Sequence, residues 1–209
     1  MNTPFAPQAR ILFQGDSVTD CGRDRNNTFD LGGGYPALIA ARLWAELPEL
    51  NLEVLNRGIS GNRVYDLETR WEEDCIQLQP DWVSILIGIN DTWRRYDRDL
   101  VSPIDEFTAC YRRILTQTVE TTGAKLILCD PFVLPYPEDR RAWREDLDPR
   151  ITAVRDLARE FDAIYVPLDG IFAAASARRE PAFWAADGVH PTLAGHGLIA
   201  KAWLNAVCG

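Results

Sequence analysis

A serine, a histidine and an aspartate in this chain have the residue types and spacing that acyl transfer requires. Ser17 lies in GDSVTD, directly after a short apolar run, and His190 lies in DGVHP near the other end of the chain. Asp187 precedes His190 by three residues, a spacing at which a turn can fold the carboxylate onto the imidazole. The chain has two histidines, and His196 falls inside a predicted helix, where packing or solvation is its expected role. These residues predict a serine nucleophile with His190 as its base.

Two further segments could supply hydrogen-bond donors to an oxyanion. NRGISGN contains Gly58, whose backbone N–H has no side chain in front of it, and GIND contains Asn90, whose amide carries two N–H groups. Donors of this kind stabilise the negative charge that develops during acyl transfer. Glycine and asparagine are also common turn residues, so each signal is weak alone. Their position after successive predicted strands favours the oxyanion interpretation.

The elements that must position these residues alternate regularly along the chain. Apolar runs predict strands at 11–13, 52–55, 82–87, 125–129 and 163–166. Helical periodicity and capping residues predict helices at 35–47, 64–78 and 102–123, a helix opening at 148–149, a short helix after 169, and a last helix at 191–206. Strands that alternate with helices specify a parallel sheet with helices on both faces. Residues 1–209 are therefore expected to form one domain, with the site at the carboxyl ends of the strands.

Composition narrows the classes of ligand. The 209 residues carry a net charge of −9, which disfavours nucleic acid or an anionic membrane as a partner and suits a neutral substrate. No apolar run approaches the ~20 residues of a membrane helix, and MNTPFAPQAR does not resemble a signal peptide. The five cysteines (Cys21, Cys75, Cys110, Cys129 and Cys208) show no CxxC spacing. We therefore expect no metal, no cofactor and reduced thiols in a cytoplasmic protein.

The two least regular stretches, 20–34 and 131–145, both follow the carboxyl ends of strands. Both are therefore expected to overhang the site. The first contains Gly32-Gly33-Gly34, which suits either a mobile flap or a close approach between backbones.

The segments GDSVTD, NRGISGN, GIND and DGVHP together resemble the four sequence blocks of the SGNH (GDSL-type) hydrolases, in that family's order and over nearly the whole chain. Val18 stands where leucine or isoleucine is commoner, a conservative departure. The resemblance implies Ser17 as nucleophile, His190 as base and Asp187 as the residue that orients it. It implies an oxyanion hole formed by the Ser17 N–H, Gly58 and Asn90. The implied fold is a single-domain, flavodoxin-like three-layer α/β/α sandwich with a five-stranded parallel sheet of order 2-1-3-4-5.

A narrower resemblance exists to the intracellular acetylxylan esterases within this family. It is carried by GDSVTDCGR, RWEED, PDWVSILIGINDTWRRYD and HPTLAGH. It implies deacetylation of short acetylated xylo-oligosaccharides and assembly into a homo-oligomer. The expected substrate contacts are Asp16 beside the nucleophile and three aromatic residues near strand ends, Tyr35, Trp93 and Trp184. An ordinary packing role is the alternative for each aromatic side chain.

Two other functions fit part of the pattern. A broad-specificity GDSL esterase, lipase or thioesterase acting on short acyl esters would use the same residues, although no long apolar lid segment is visible. A flavin-binding electron carrier could cradle a phosphate on residues 17–19. That second function leaves DGVHP and Asn90 unexplained.

Overall fold

A five-stranded parallel sheet lies at the centre of the computed structural model, which describes residues 3–209. The strands are β1 (Arg10–Gly15), β2 (Glu53–Asn56), β3 (Trp82–Leu86), β4 (Lys125–Cys129) and β5 (Ile164–Val166). The α-helices are α1 (Ser17–Asp20), α2 (Tyr35–Glu46), α3 (Val64–Asp74), α4 (Ile89–Arg98), α5 (Ile104–Thr122), α6 (Arg144–Glu160), α7 (Leu168–Ser176), α8 (Pro181–Trp184) and α9 (Leu193–Cys208). Short 3₁₀ segments lie at Pro48–Leu50, Ile76–Leu78 and Glu138–Trp143.

The strand order is β2-β1-β3-β4-β5, with every neighbouring pair parallel. The predicted order 2-1-3-4-5 and the α/β class are confirmed. The strand order reverses between β1 and β3, the kind of position at which open α/β sheets bind their ligands. Ser17 lies two residues after the end of β1 and Asn90 lies four residues after the end of β3, so both lie at this switch point.

The sheet is buried on both faces because alternate side chains of a strand point in opposite directions. In β1, Ile11 and Phe13 pack with α2, α7 and α9, whereas Leu12 packs with α3, α5 and α6. All three side chains are fully buried, and each contributes ~1.5–3 kcal/mol through loss of its apolar surface to water. Two helical layers therefore hold β1 rigidly and fix the position of the turn that carries Ser17.

Helix α4 is absent from the sequence prediction, which places Asn90 and Trp93 only near strand ends. Gly88 is the N-cap at φ 126°, a conformation that favours glycine, and the helix begins at once at Ile89. Asp91 lies in the first turn and arginines lie in the last turn, which suits the helix dipole. Asn90 is therefore held by the first turn of a helix, and Trp93 lies one turn further on.

Helix α6 begins at Arg144, earlier than the predicted start at Asp148-Pro149. Leu147 is fully buried, and an i,i+4 ion pair joins Arg144 to Asp148, so the four additional residues have helical contacts of their own. Pro149 is tolerated inside the helix near its N-terminus, where its missing N–H removes only one early hydrogen bond. The irregular stretch after β4 is correspondingly shorter.

Two predicted helix starts are also displaced. Helix α9 begins after Thr192, whose hydroxyl accepts the N–H of Gly195 at 3.3 Å, because Pro191 pairs with Ala185 in an isolated bridge. Ser102 does not cap α5; its hydroxyl lies 2.9 Å from the Tyr65 hydroxyl instead.

Within residues 3–209, none of the helices combines the length and apolar character needed to cross a membrane.

Candidate active site

Ser17, His190 and Asp187 form a continuous hydrogen-bonded chain at the carboxyl edge of the sheet. Ser17 Oγ lies 2.9 Å from His190 Nε2, and His190 Nδ1 lies 2.7 Å from Asp187 Oδ2. The other oxygen of Asp187 accepts the N–H groups of Val189 and His190 at 3.0 and 2.7 Å. These contacts hold the Nδ1–H tautomer and leave Nε2 free to accept a proton from Ser17.

Asp187 and His190 each stabilise the charged form of the other. The hydrogen bond to Asp187 raises the pKa of His190, although partial burial of the ring opposes the rise. Burial disfavours ionisation of Asp187, but the hydrogen bonds from the His190 ring and from two backbone N–H groups outweigh it and lower the pKa of the carboxyl. Asp187 is therefore ionised at neutral pH, and His190 is a stronger base than a free imidazole.

The start of α1 orients the serine. Asp16 is the N-cap, and its Oδ1 accepts the N–H of Val18 at 3.0 Å. Gly15 precedes it where a Cβ atom would lie 2.4 Å from the carbonyl oxygen of Leu86, so β1 and β3 can approach only because this residue is glycine. Ser17 is the first helical residue, and among the described residues its N–H has no hydrogen-bond partner. That N–H is free to face an oxyanion.

Gly58 does not fit the predicted oxyanion role. Its N–H is already donated to the side-chain oxygen of Asn56 at 2.8 Å, and a Cβ atom at Gly58 would lie 2.4 Å from the Asp20 nitrogen. This glycine is needed because the loop after β2 packs directly against the backbone of α1. The prediction from the sequence is therefore corrected: Gly58 serves packing.

Gly61, which the sequence reasoning missed, is the better candidate donor in the same segment. It adopts φ 84°, and within residues 3–209 no acceptor lies in hydrogen-bond range of its N–H. A Cβ atom at Gly61 would meet only the tip of Arg94, at 3.8 Å, so this glycine, unlike Gly58, is not required by close packing against backbone. The second glycine of NRGISGN was the available signal, since two glycines in one short loop call for separate explanations.

Asn90 contacts Asn62, the residue that follows Gly61. Its amide donates to the carbonyl of Asn62 at 3.1 Å, and the side chain is almost completely buried. One amide hydrogen is used by this contact, and the second remains for substrate. Ser17, Gly61 and Asn90 thus bring three N–H donors to one edge of the sheet.

A buried polar network supports the helix that carries Asn90. Asp91 accepts the N–H of Val64, at the start of α3, at 3.2 Å. Arg150, from α6, donates to Thr92 at 3.1 Å and to the carbonyl of Ser102 at 2.7 Å. Burial raises the pKa of Asp91 to about 7, which the positive charge of Arg150 only partly offsets. These contacts join α3, α4 and α6 and restrict movement of the Asn90 amide.

The segment after β4 covers the Asp187–His190 turn, as the prediction for 131–145 expects. Leu134 donates its N–H to the carbonyl of Gly188 at 2.8 Å, and Arg140 Nε donates to the carbonyl of Asp187 at 3.4 Å. Gly188 adopts φ 83°, and a Cβ atom there would lie 2.0 Å from the carbonyl oxygen of Tyr136. Only glycine permits this close contact between the two segments.

The segment 20–34 is held by hydrogen bonds on its inner side. Asn56 Nδ2 donates to the carbonyls of Thr19 and Leu31 at 2.7 and 2.8 Å, and Arg57 donates to that of Thr28 at 3.1 Å. A Cβ atom at Gly32 would lie 2.4 Å from the Asp20 carbonyl oxygen. Gly32 therefore serves a close backbone approach, the second of the two predicted explanations. A Cβ atom at Gly34 would instead meet the Cys21 side chain at 2.7 Å, and one at Gly33 would be in ordinary contact.

The three aromatic residues that were expected to contact substrate lie in different environments. Tyr35 is completely buried, and its hydroxyl lies 2.9 Å from Thr19 Oγ1, so its ring offers no surface to a sugar. Trp184 is half-buried on α8 and donates its ring N–H to the carbonyl of Arg179 at 3.3 Å.

Trp93 is the aromatic residue that reaches the catalytic histidine. Its ring centroid lies 5.7 Å from that of His190 and 5.2 Å from that of Trp143. The guanidinium of Arg140 lies over the Trp93 ring, 5.2 Å from its centroid. Trp93 therefore packs beside His190, and a cation covers one face of its ring.

A small apolar cavity lies behind the nucleophile. Its volume is about 10 Å³, and its lining residues are Asp16, Val18, Leu86, Ile87, Ile89, Pro131, Phe132 and Val189. Val18 follows Ser17, Ile89 precedes Asn90 and Val189 precedes His190, so the cavity touches each catalytic segment. A space of this size is near the minimum for a single water.

The second histidine has a different role from the first. His196 Nδ1 accepts the N–H of Tyr35 at 3.2 Å, which leaves the hydrogen on Nε2, 3.3 Å from Cys21 Sγ. Burial lowers the pKa of His196 to about 4, and the charge of His190 adds to the effect. His196 is therefore a neutral residue that binds the N-terminus of α2. In residues 3–209, no group of three or more His, Cys, Asp or Glu side chains is arranged to hold a metal ion.

Known proteins resemble this chain over nearly its whole length. It is 40% identical over 206 residues to an acetylxylan esterase of Geobacillus stearothermophilus, covering 95% of this chain and 93% of that protein. The crystal structure of that organism's acetylxylan esterase superimposes with a TM-score of 0.87 over 97% of this chain and 95% of that chain, at 39% identity. A candidate GDSL-like lipase from Parabacteroides merdae superimposes with a TM-score of 0.93 over 99% of both chains, at 38% identity. Residues 13–198 match the GDSL-like lipase/acylhydrolase family, and the chain therefore belongs to that family of ester hydrolases.

Proposed function

We propose that this protein is a serine esterase that removes acetyl groups from acetylated xylo-oligosaccharides through an acyl-enzyme intermediate. The observation that carries the proposal is the hydrogen-bonded chain from Ser17 Oγ to His190 Nε2 at 2.9 Å and from His190 Nδ1 to Asp187 at 2.7 Å. A serine, a base and a carboxylate that orients the base are the parts that nucleophilic acyl transfer needs.

The reaction uses these groups in two half-reactions. Ser17 Oγ attacks the ester carbonyl carbon while its proton passes to His190 Nε2, and the resulting oxyanion accepts hydrogen bonds from Ser17 N–H, Gly61 N–H and Asn90. His190 then gives the proton to the sugar oxygen, which leaves as the free hydroxyl. Water, deprotonated by His190, attacks the acyl-enzyme; collapse of the second oxyanion releases acetate and returns the proton to Ser17.

The comparison with known proteins supports a short acyl group. The relative that is 40% identical over 95% of this chain is an acetylxylan esterase. Each methylene that a tight pocket excludes is worth ~1–3 kcal/mol of discrimination.

The experiment compares substrates and one active-site variant. We expect acetylated xylobiose and xylose tetraacetate to have higher kcat/KM than 4-nitrophenyl butyrate or octanoate. Ser17→Ala should lower kcat by several orders of magnitude, because the three residues act as a unit. Ser176→Ala, at the end of α7, is the matched control and should retain full activity. Substantial turnover by Ser17→Ala would refute the serine mechanism.

The same site would also serve a broad-specificity esterase, lipase or thioesterase. Higher kcat/KM for octanoate esters or for acyl thioesters than for acetylated sugars would favour that function. It would leave the serine mechanism intact.

Location and assembly belong to the same proposal. We infer a cytoplasmic enzyme, because all five cysteines are free and free thiols are typical of reducing compartments. We also propose a homo-oligomer. Light scattering after size exclusion would test the assembly, and a monomeric mass would refute it.

A further inference from the structure

One carboxylate oxygen of Asp16 is buried without a hydrogen bond to any described residue. Its Oδ1 caps α1 through the N–H of Val18 at 3.0 Å. Its Oδ2 is buried and has no hydrogen-bond partner in residues 3–209, and the residue is only 1% exposed. The capping role needs one oxygen and would be met by asparagine or serine. An unpartnered buried carboxylate oxygen next to a nucleophile therefore requires a further explanation.

The surroundings of Asp16 are apolar on most sides. Leu86 and Ile87 at the end of β3, with Pro131 and Phe132 after β4, line the cavity that Asp16 also lines. Among the described residues, Asp16 contributes the only polar side chain to that lining. A water held there would lack the two to four polar partners that buried waters have.

Two titratable groups act on Asp16 from neighbouring elements. His190, from the segment before α9, attracts a negative charge on Asp16, and Tyr35, from α2, is a neutral phenol. His190 is also the ring that accepts the proton of Ser17. Asp16 immediately precedes Ser17, whose Oγ lies 2.9 Å from His190 Nε2. Val189, which immediately precedes His190, lines the same cavity as Asp16. A charge on the buried Asp16 carboxylate is screened less than a charge in bulk water.

We propose that Asp16 is a second carboxyl of the catalytic charge system, which acts through His190 and stabilises its imidazolium together with Asp187. Asp187 contacts the ring directly, whereas Asp16 acts from the position before Ser17 without a hydrogen bond to the ring. It is a positioning residue that touches neither substrate nor reacting atoms. This inference rests on the role proposed for His190.

The titration behaviour expected of Asp16 agrees with this role. Burial raises its pKa to about 7, even though the Val18 N–H and the charge of His190 both favour the carboxylate. Asp16 and His190 therefore titrate in the same pH range, with opposite charges. Such a pair loses its protons in two macroscopic steps that belong to the pair rather than to either residue.

The experiment follows the His190 ring by NMR, without substrate. The chain has two histidines, and His196, with its pKa lowered to about 4, titrates separately and serves as an internal reference. In the wild type we expect the His190 signal to titrate in two steps, with its main midpoint above 6.5. In Asp16→Asn, which keeps the capping oxygen, we expect one step and a midpoint lower by ~1 pH unit, the effect of one nearby charge.

Controls separate this inference from the proposed function. Glu49→Gln removes an exposed carboxyl and should leave the His190 curve unchanged. If Asp16→Asn does not fold, Asp16→Ser keeps a capping hydroxyl and removes the charge. A one-step wild-type curve, or an unchanged midpoint in either Asp16 variant, would overturn the inference. A His190 midpoint that shifts while the acid limb of kcat/KM for 4-nitrophenyl acetate stays in place would instead refute His190 as the base.

Discussion

The side-chain amide of Asn90 donates a hydrogen bond to the main-chain carbonyl of Asn62 at 3.1 Å. This contact joins the first turn of α4 to the loop after β2, so two strand ends are positioned relative to each other by one bond. It also places the amide beside Gly61, the neighbour of Asn62 in the chain. Because the amide nitrogen carries two hydrogens, the contact orients Asn90 and still leaves it one donor.

Asn90→Ala is expected to lower kcat by ~10²–10³, the usual effect of losing one oxyanion donor. The measurement is steady-state kinetics on 4-nitrophenyl acetate and xylose tetraacetate, with KM nearly unchanged because the donor acts mainly in the transition state. Asn90→Asp keeps the shape and replaces both donors by a charge that repels the oxyanion, so it should be at least as slow. Wild-type kcat in Asn90→Ala would show that the amide serves only to hold Asn62.

Much of the fold could be predicted because its signals are local. The run from Lys125 to Cys129 is apolar after its first residue and lies shortly after Gly123, and the structure has β4 within those same bounds. The Asp187–His190 pair was also recognisable, since both residues lie in one short turn. Each of these predictions depends on residues that are neighbours in sequence.

The errors in the prediction of the site come from side-chain and backbone contacts that residue type alone does not reveal. Gly58 and Gly61 are indistinguishable by residue type, and the Asn56 side chain together with the backbone of α1 decides which N–H is free. From the sequence, Tyr35 is a candidate for stacking on a sugar. In the structure, α9 covers this residue and His196 accepts its N–H. Sequence patterns do not encode such pairings, because a turn residue and a donor have the same local signature.

Trp93→Ala is expected to lower kcat for sugar acetates and aryl acetates alike, by ~10–100-fold, because the ring packs against His190 and a displaced base is a poor base. Trp93→Phe keeps an aromatic wall and should retain most activity. Trp44→Phe, on α2, is the control for a tryptophan outside the site. A rise in KM for sugar acetates alone would contradict this and restore the sugar-stacking role.

Stability should fall as the pH rises from about 4 to about 8. Burial raises the pKa values of Asp16 and Asp91 from 3.8 to about 7, so between those values the folded state binds more protons than the unfolded state. The free energy of unfolding therefore decreases with pH over that range. His190, whose pKa is raised above 6.5, causes a further loss of stability as the pH rises above neutrality. Two groups act in the opposite direction. His196 does so between about pH 4 and 6.5, because its pKa is lowered from 6.5 to about 4, and Asp187 does so below about pH 4, because its pKa is lowered from 3.8. The two raised carboxyls, Asp16 and Asp91, outweigh the single imidazole of His196.

Urea unfolding at pH 5 and pH 8 checks this pH dependence. Asp91→Asn keeps an acceptor for the Val64 N–H and removes the titration, so its loss of stability between the two pH values should be smaller than that of the wild type, by an amount on the order of a few kcal/mol. Equal losses in the two proteins, or a wild type that is more stable at pH 8, would contradict the raised pKa of Asp91.

Arg150 offers the most direct test of how the site is supported. Its side chain is 1% exposed, and it donates to Thr92, Ser102 and Asp146 at 3.1, 2.7 and 3.0 Å. Arg150→Met preserves most of the buried volume but leaves Asp91 and Asp146 without this cation. Removing one partner of a buried ion pair costs ~3–5 kcal/mol, because the remaining charge stays out of water.

Arg159 is the matched control on the same helix. Its side chain is 76% exposed and pairs with Asp156 at 3.1 Å, so Arg159→Met should cost less than ~1 kcal/mol. Urea unfolding measures both variants. Asp91→Asn added to Arg150→Met should recover part of the loss, because it removes one of the uncompensated carboxylates. If Arg150→Met lost no more stability than Arg159→Met, the network would contribute nothing to the fold, and the position of Asn90 would have to be attributed to the Asn62 contact alone.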